Sequence, residues 1–273
     1  MIELSVSLPM YRAKHIGWLA LEDLIRQEDI DFEWELVVAE EPHHSFGESS
    51  IMTYKDRLMD VGCVRIKYIP MVEWKPLTIK LLYMIDNMSP DSRVWVGHAA
   101  DNFHPPKQLK AQYDAFNEDI HWFASTKVIF YDILTEATVL FDTDLGERKD
   151  DSYGKAISMD IMRQTPPSNK LCSSDVLTWD NVPRRAAHKF AYPEIMRMAF
   201  DESDNWKYGL ATYRLNNFSK RNKCFTQETE RIRECPVDIN YTIPPYILDR
   251  LKDCKEFTAD HAKYINFSTN RPS

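Results

Sequence analysis

The stretch VGHAADNFHPPKQL, Val96 to Leu109, begins as the end of a buried strand and finishes as the start of a helix. Val94, Trp95 and Val96 run apolar without alternation, as in a strand covered on both faces. The chain then drops into small residues and places one acid, Asp101, ahead of Asn102, Phe103 and His104. Pro105 and Pro106 stiffen the exit. A carboxylate in this position has two ordinary uses. It caps the helix that follows, or it holds a divalent cation against the phosphates of a nucleotide. The surroundings decide between them.

Upstream, strand-like and helix-like segments alternate. Ile2 to Leu8 is a β-rich run stopping at Pro9. His15 to Gln27 carries a helical stripe at Ile16, Leu19, Ala20, Leu24 and Ile25. Trp34 to Ala39 reads as a second strand, Tyr54 to Met59 as helical, Val64 to Ile69 as a third strand and Leu77 to Met88 as a further helix. Val94 to Val96 makes a fourth strand. This order implies a parallel sheet with right-handed crossovers, in which ligands bind beyond the carboxyl ends of the strands. Polar, turn-forming chemistry collects there three times: SLPMYR, AEEPHH and HAADNFHPP.

Downstream, Lys107 to Phe116 reads as a helix, Lys127 to Ile133 and Thr138 to Phe141 as strands, the run near Lys155 to Met159 as another strand, and the chain from about Tyr246 as a helix. The expected organisation is one compact α/β unit. Residues 1–110 form its nucleotide-binding half, and residues 111–273 form an appended half that binds the acceptor and ends in the C-terminal helix.

Composition narrows the functional classes. The 273 residues are 44% hydrophobic and 12% aromatic, ordinary for a globular protein. Seven glycines leave little room for a glycine-rich phosphate loop, and neither GxxxxGK[ST] nor GxGxxG occurs. A net charge of −8 opposes broad adhesion to nucleic acid. Five widely spaced cysteines without a CxxC suggest reduced thiols. No apolar run approaches the ~20 residues of a membrane span, and the start MIELSVSLPMY lacks signal-peptide character. The chain reads as soluble and cytoplasmic.

Three segments in order carry a resemblance. SVSLPMYRAKHIGWLALEDLIRQ resembles the opening strand, nucleotide loop and first helix of the family 2 glycosyltransferases of the GT-A fold. WELVVAEEP resembles that family's second strand with its terminal acids, and HAADNFHPPKQL occupies the place of its acidic metal-binding motif. KAISMDIMRQTP and DNWKYGLATYRLNNFSKRN resemble later segments of some members. The resemblance implies a Rossmann-like, mainly parallel mixed sheet flanked by helices. It also implies transfer of a sugar from a nucleotide-diphosphate donor, a UDP-sugar above all, with inversion and with Mn2+ or Mg2+.

By that resemblance Pro9 and Tyr11 line the nucleotide, Glu40 or Glu41 accepts a hydrogen bond from the base, Lys80 faces the donor, and Asp101 binds the metal. One departure matters: the family has two or three acids where this chain has Asp101 alone, flanked by His98, Ala99, Ala100 and Asn102. His98 is a candidate second ligand that suits Mn2+. The literal Asp-x-Asp at Asp142 and Asp144 falls in a polar turn after a later strand, where Asp and Gly collect for conformational reasons.

Deprotonating an acceptor hydroxyl requires a base. Asp175 in CSSDVLTWD is the first candidate and Asp180 the second, and either also reads as a helix cap. Arg214 and Arg221, with Lys220, Lys223, Tyr213 and Phe218, form a basic, aromatic stretch suited to closing over a diphosphate or to remaining a solvated surface. With Arg184 to Lys189 it also suits a polyanionic acceptor, so both a glycan and a hydroxymethylated base in viral DNA are admitted. Two rivals stand beside this reading: a noncatalytic nucleotide-sugar-binding protein, and a nucleotidyltransferase, whose glycine- and arginine-rich N-terminal loop SLPMYRAKH lacks.

Overall fold

The computed structural model describes residues 1–73, 75, 77–116, 120–125, 127–132, 136, 138–142, 153–164, 197–201, 209–213, 232–234 and 243–254. The first strand, β1 (Leu4–Met10), lies between β2 (Trp34–Glu40) and β4 (Val94–Gly97) and is parallel to both. β3 (Cys63–Pro70) adds to β2 in the same direction. Its even-numbered residues explain why β1 is central. Leu4, Val6, Leu8 and Met10 are all fully buried, on one face with Leu36 and Val38 of β2 and Val94 and Val96 of β4. Residues of the other parity (Val37, Ala39 and Trp95) build a second core on the opposite face. A strand buried on both faces needs helices on both sides.

The helices supply that cover. α1 (Gly17–Leu24), after a 3-10 turn at Ala13–His15, and a C-terminal helix, α7 (Pro245–Asp253), pack into the first core. α4 (Leu77–Asp86) and α6 (Met159–Gln164) pack into the second. Between them lie two short helices, α2 (Glu48–Met52) and α3 (Lys55–Met59), where the sequence suggests one. α5 (Gln108–Ala115) follows the Asp101 segment.

β1 does not stop at Pro9. The Ser7 carbonyl takes the N–H of His98 on the β4 side, and Pro9 faces that same side two residues later. β4 has already ended at Gly97, so the proline's missing N–H leaves no partner unmet.

The complete sheet has seven strands in the order β10-β6-β9-β4-β1-β2-β3. β9 (Tyr153–Ser158) is antiparallel to β4 and to β6 (Ile120–Ser125), and β10 (Arg197–Asp201) is parallel to β6. Strands from the second half of the chain thus extend the sheet of the first. A second sheet has the order β12-β8-β7-β11-β5. It consists of β5 (Asn102–Phe103), β7 (Lys127–Asp132), β8 (Thr138–Asp142), β11 (Gly209–Tyr213) and β12 (Ile232–Glu234). The architecture is a mixed, mainly parallel α/β sheet flanked by helices.

The order 3-2-1-4 places the topological switch between β1 and β4. Successive connections leave in opposite directions there, the arrangement in which open α/β sheets bind ligands beyond the carboxyl ends of their strands. Tyr11, Glu41 and His98 each stand one residue past a strand end on this edge. Gly97 is required here, because a Cβ would lie 2.6 Å from the buried indole of Trp95. Gly97→Ala should therefore cost about 1–3 kcal/mol of stability by overpacking, measured by urea denaturation. A change within about 0.5 kcal/mol of wild type would contradict this account of the strand end.

Candidate functional site

The two acids of AEEP face opposite ways, as neighbours at a strand end must. Glu40 turns to the α1 side, where its carboxylate accepts the backbone N–H groups of Phe46 (2.6 Å) and Gly47 (2.9 Å) and the Tyr68 hydroxyl (3.1 Å). It closes the loop after β2. Glu41 turns to the α4 side, where it is buried against Lys80 at 2.6 Å and accepts the N–H of Lys75. Lys80, itself 4% exposed, also donates to the carbonyl of Met10 at 3.2 Å. One ammonium thus joins the ends of β1 and β2. Burial pushes the Glu41 carboxyl up from its ordinary range, against the pull of Lys80.

Tyr11 is half-buried beside this pair, and burial raises its phenol. Lys80 Nζ lies 5.5 Å from its ring centre and the Arg12 guanidinium 5.1 Å. Arg12 has φ 48°, the left-handed region that a non-glycine residue seldom adopts. Nothing in the sequence marks Arg12 for that conformation. Of the expected donor residues, Pro9, Tyr11, Glu41 and Lys80 meet at the carboxyl edge of β1 and β2, and Glu40 is engaged with the loop behind them.

Asp101 lies on the same edge beyond β4, partly exposed, in the middle of the segment 98–104. Both ends of that segment converge on one residue that sequence reasoning missed, Asp23 of α1. His98 Nε2 is 2.6 Å from Asp23 Oδ2, and His104 Nδ1 is 2.7 Å from the same oxygen. The backbone N–H of His104 donates to Oδ1 at 2.9 Å. All three side chains are buried, with the rings edge to face at 4.3 Å. Burial pushes the Asp23 carboxyl up, but the two imidazoles outweigh it and hold it below the usual carboxylate range. For His104, burial and neighbouring His98 press the imidazole below its ordinary range, against Asp23.

Just past the C-terminus of α1, Gln27 donates to the Pro105 carbonyl (3.1 Å) and accepts the N–H of Leu109 (2.8 Å), while Glu28 N–H donates to the Pro106 carbonyl. The signal for this face was present. Asp23 and Gln27 continue the spacing of Ile16, Leu19 and Ala20, so two polar side chains lie on an apolar stripe. Such residues are buried only with partners.

The donor set can be tested against a metal. Asp23, His98 and His104 have ligand atoms within 4.8 Å of one another. Yet 2.6 and 2.7 Å are hydrogen-bond separations, shorter than the roughly 3.3 Å between ligands that tetrahedral coordination at about 2.0 Å requires. The cluster is a hydrogen-bonded clamp. His98 places its second nitrogen 3.0 Å from the Ala99 carbonyl, so both of its nitrogens are engaged away from Asp101. A divalent ion on this edge would rest on Asp101, phosphate oxygens and water, a set that suits Mg2+ or Mn2+. Asp175, Asp180, Arg214, Arg221 and Asp144 lie outside the described residues, and Asp142 ends β8 in the second sheet.

No protein-family model and no curated protein matches the chain. Solved structures do. Residues 1–349 of TarS from S. aureus, in complex with UDP, superpose with a TM-score of 0.57 at 14% identity, covering 77% of this chain and 60% of that one. The mannosyltransferase PcManGT from Pyrobaculum calidifontis, in complex with GDP-Man and Mn2+, superposes with a TM-score of 0.53 at 11% identity, covering 99% and 76%. The chain spans about three-fifths of the TarS segment. The likeness is one of fold.

The fold is GT-A.

The sheet expected from the sequence is therefore the sheet of that fold, and Tyr11, Glu41, Lys80 and Asp101 stand at its carboxyl edge. Among the described residues no helix is long and apolar enough to cross a membrane. Cys63 and Cys254 are buried free thiols, with Cys63 pushed up to about 12 by burial.

The Glu41–Lys80 pair makes a direct prediction. Lys80→Met leaves a buried carboxylate unpaired and should cost about 3–5 kcal/mol, while Lys80→Met with Glu41→Gln should recover more than half of that loss. Urea denaturation of the two variants checks this. A loss that Glu41→Gln does not relieve would contradict the pairing.

Proposed function

We propose that the chain is a glycosyltransferase. It takes a sugar from a nucleotide-diphosphate sugar, a UDP-sugar being the favoured donor class, and passes it to an acceptor hydroxyl with inversion. The observation that carries this reading is the join of a GT-A sheet to a crevice with two chemically distinct ends. At one end Tyr11, Glu41 and Lys80 offer an aromatic face and a buried carboxylate suited to a base with N–H donors. At the other, Asp101 stands beyond β4, where a diphosphate would lie. A bound Mn2+ or Mg2+ at Asp101 would neutralise charge on the departing diphosphate. UDP in the TarS structure, and GDP-Man with Mn2+ in the mannosyltransferase, agree with a donor of this class.

The remaining roles fall to the second half of the chain. Asp175, or Asp180 after it, is the proposed base that takes the acceptor proton. Arg214 and Arg221 are the proposed cations that close over the diphosphate; in sequence Arg214 directly follows β11. The acceptor is a glycan or, given the basic runs, a hydroxymethylated base in DNA. One observation favours a second reading, a noncatalytic nucleotide-sugar-binding protein: the edge carries a single acid where Asp-x-Asp is usual.

The test is release of UDP or GDP from a panel of UDP-sugars and GDP-mannose, with Mn2+ or EDTA. The expected result is slow turnover of one donor that EDTA abolishes and that Asp101→Ala reduces by about 10²-fold or more. If no donor is turned over and neither UDP nor GDP raises the melting temperature with Mn2+, the proposal is wrong. Stabilisation without turnover, even with glycan and DNA acceptors supplied, identifies the binding protein instead.

A further inference from the structure

We propose that Asp23 is a positioning residue for the donor site: through His98 and His104 it fixes the segment that presents Asp101. The inference rests on the glycosyltransferase reading and names a residue that contacts neither donor nor metal. Asp101 lies three residues from His98 and three from His104, and both imidazoles bond to the same oxygen of Asp23. A segment tied at both ends to one atom of a buried helix cannot shift at one anchor without straining the other. Ala100 and Phe103 pack into the first core between the anchors, which leaves Ala99, Asp101 and Asn102 as its partly exposed positions. Gln27 and Glu28 then hold the exit at Pro105, Pro106 and Leu109, so α1 and the turn that follows it set the path from 98 to 109.

Stability alone does not call for a charged tie at this place. Replacing a buried charged network with well-packed apolar residues is commonly neutral or stabilising, whereas a network that is kept restricts the chain to one arrangement. That restriction has a use here. With one carboxylate instead of two, the ion gains little from ligand number, so its affinity depends on the carboxylate being held where the diphosphate needs it. Residues that orient a ligand from behind typically change metal affinity by about 10–100-fold when altered.

The experiment is calorimetric binding of UDP to the full chain, in Mn2+ and in EDTA, for wild type, Asp23→Asn, His104→Ala and His104→Asn. Melting temperatures and circular dichroism are recorded alongside to establish folding. The expected result is that Asp23→Asn and His104→Ala each reduce the Mn2+-dependent gain in UDP affinity by about 10-fold or more. UDP affinity in EDTA, set by Tyr11, Glu41 and Lys80, should stay within about threefold, a change under 1 kcal/mol. His104→Asn, whose amide reproduces the donor at Nδ1, should restore most of the loss seen in His104→Ala. If Asp23→Asn does not fold, the two His104 variants carry the test.

Variants that melt lower but keep the full Mn2+ gain would overturn the positioning role and leave the glycosyltransferase reading intact. Absence of any Mn2+-dependent gain in UDP affinity for wild type would overturn the positioning role as stated, while the glycosyltransferase reading stands or falls by the donor panel that includes GDP-mannose. Equal losses in Mn2+ and EDTA would mean that Asp23 supports the whole crevice rather than the Asp101 segment, and would also overturn the proposal.

Discussion

One carboxylate governs how the crevice is built. Asp23 sits on a helix whose every residue is buried, and it holds both ends of the segment that leaves β4. An isolated charge at that depth would be prohibitively unfavourable. Two imidazoles and the His104 N–H, all from the segment being held, make it tolerable, with Gln27 Nε2 adding a longer contact at 3.5 Å. The pairing therefore works in both directions: α1 fixes the 98–104 path, and that path is what allows an acid on the inner face of α1. The second sheet inherits the arrangement, since β5 is the last part of the segment and pairs with β11.

The same logic recurs at the other end of the crevice. Glu41 and Lys80 are buried together, and Lys80 also reaches the carbonyl of Met10, so an ion pair joins two strand ends and the α4 helix. On the amino side of the sheet, buried Glu35 is met by Arg65, by Ser5 at 2.5 Å and by the N–H of Ser89 at 2.6 Å. Among the described residues, buried Asp23, Glu35, Glu41 and Lys80 each have a partner from a different part of the fold. Such contacts add little net stability compared with apolar packing, but they specify which strand end lies beside which helix. For a site assembled from strand ends, that specification decides the geometry.

Much of the fold was legible because its signals are local. Runs such as WELVVA and VWV mark doubly covered strands, and the alternation with helical stripes implies parallel order. The polar turns then mark the carboxyl edge. Parity could have separated Glu40 from Glu41, since Val37, Ala39 and Glu41 face one way and Leu36, Val38 and Glu40 the other. The Asp23 clamp was half legible, as a polar interruption of an apolar stripe, but the partners 75 and 81 residues away were not. β5 spans two residues and pairs with a strand more than a hundred positions later, which no local pattern encodes. His98 illustrates the limit of reading a motif by neighbourhood. Its closeness to Asp101 in sequence suggested a shared ligand, whereas its ring turns back toward α1.

The central claim is that the GT-A crevice of this chain binds a nucleotide diphosphate with its metal at Asp101, and that the Asp23 cluster orders the site without binding the ion. A crystal structure grown with UDP and Mn2+, with anomalous data to locate manganese, tests it most directly. The account predicts an anomalous peak within ligand distance of Asp101 and the UDP phosphates (about 2.0–2.3 Å for such oxygen ligands), with Asp23, His98 and His104 still hydrogen-bonded to one another. A peak between Asp23 and the two histidines, or UDP bound with its phosphates away from Asp101, would contradict it.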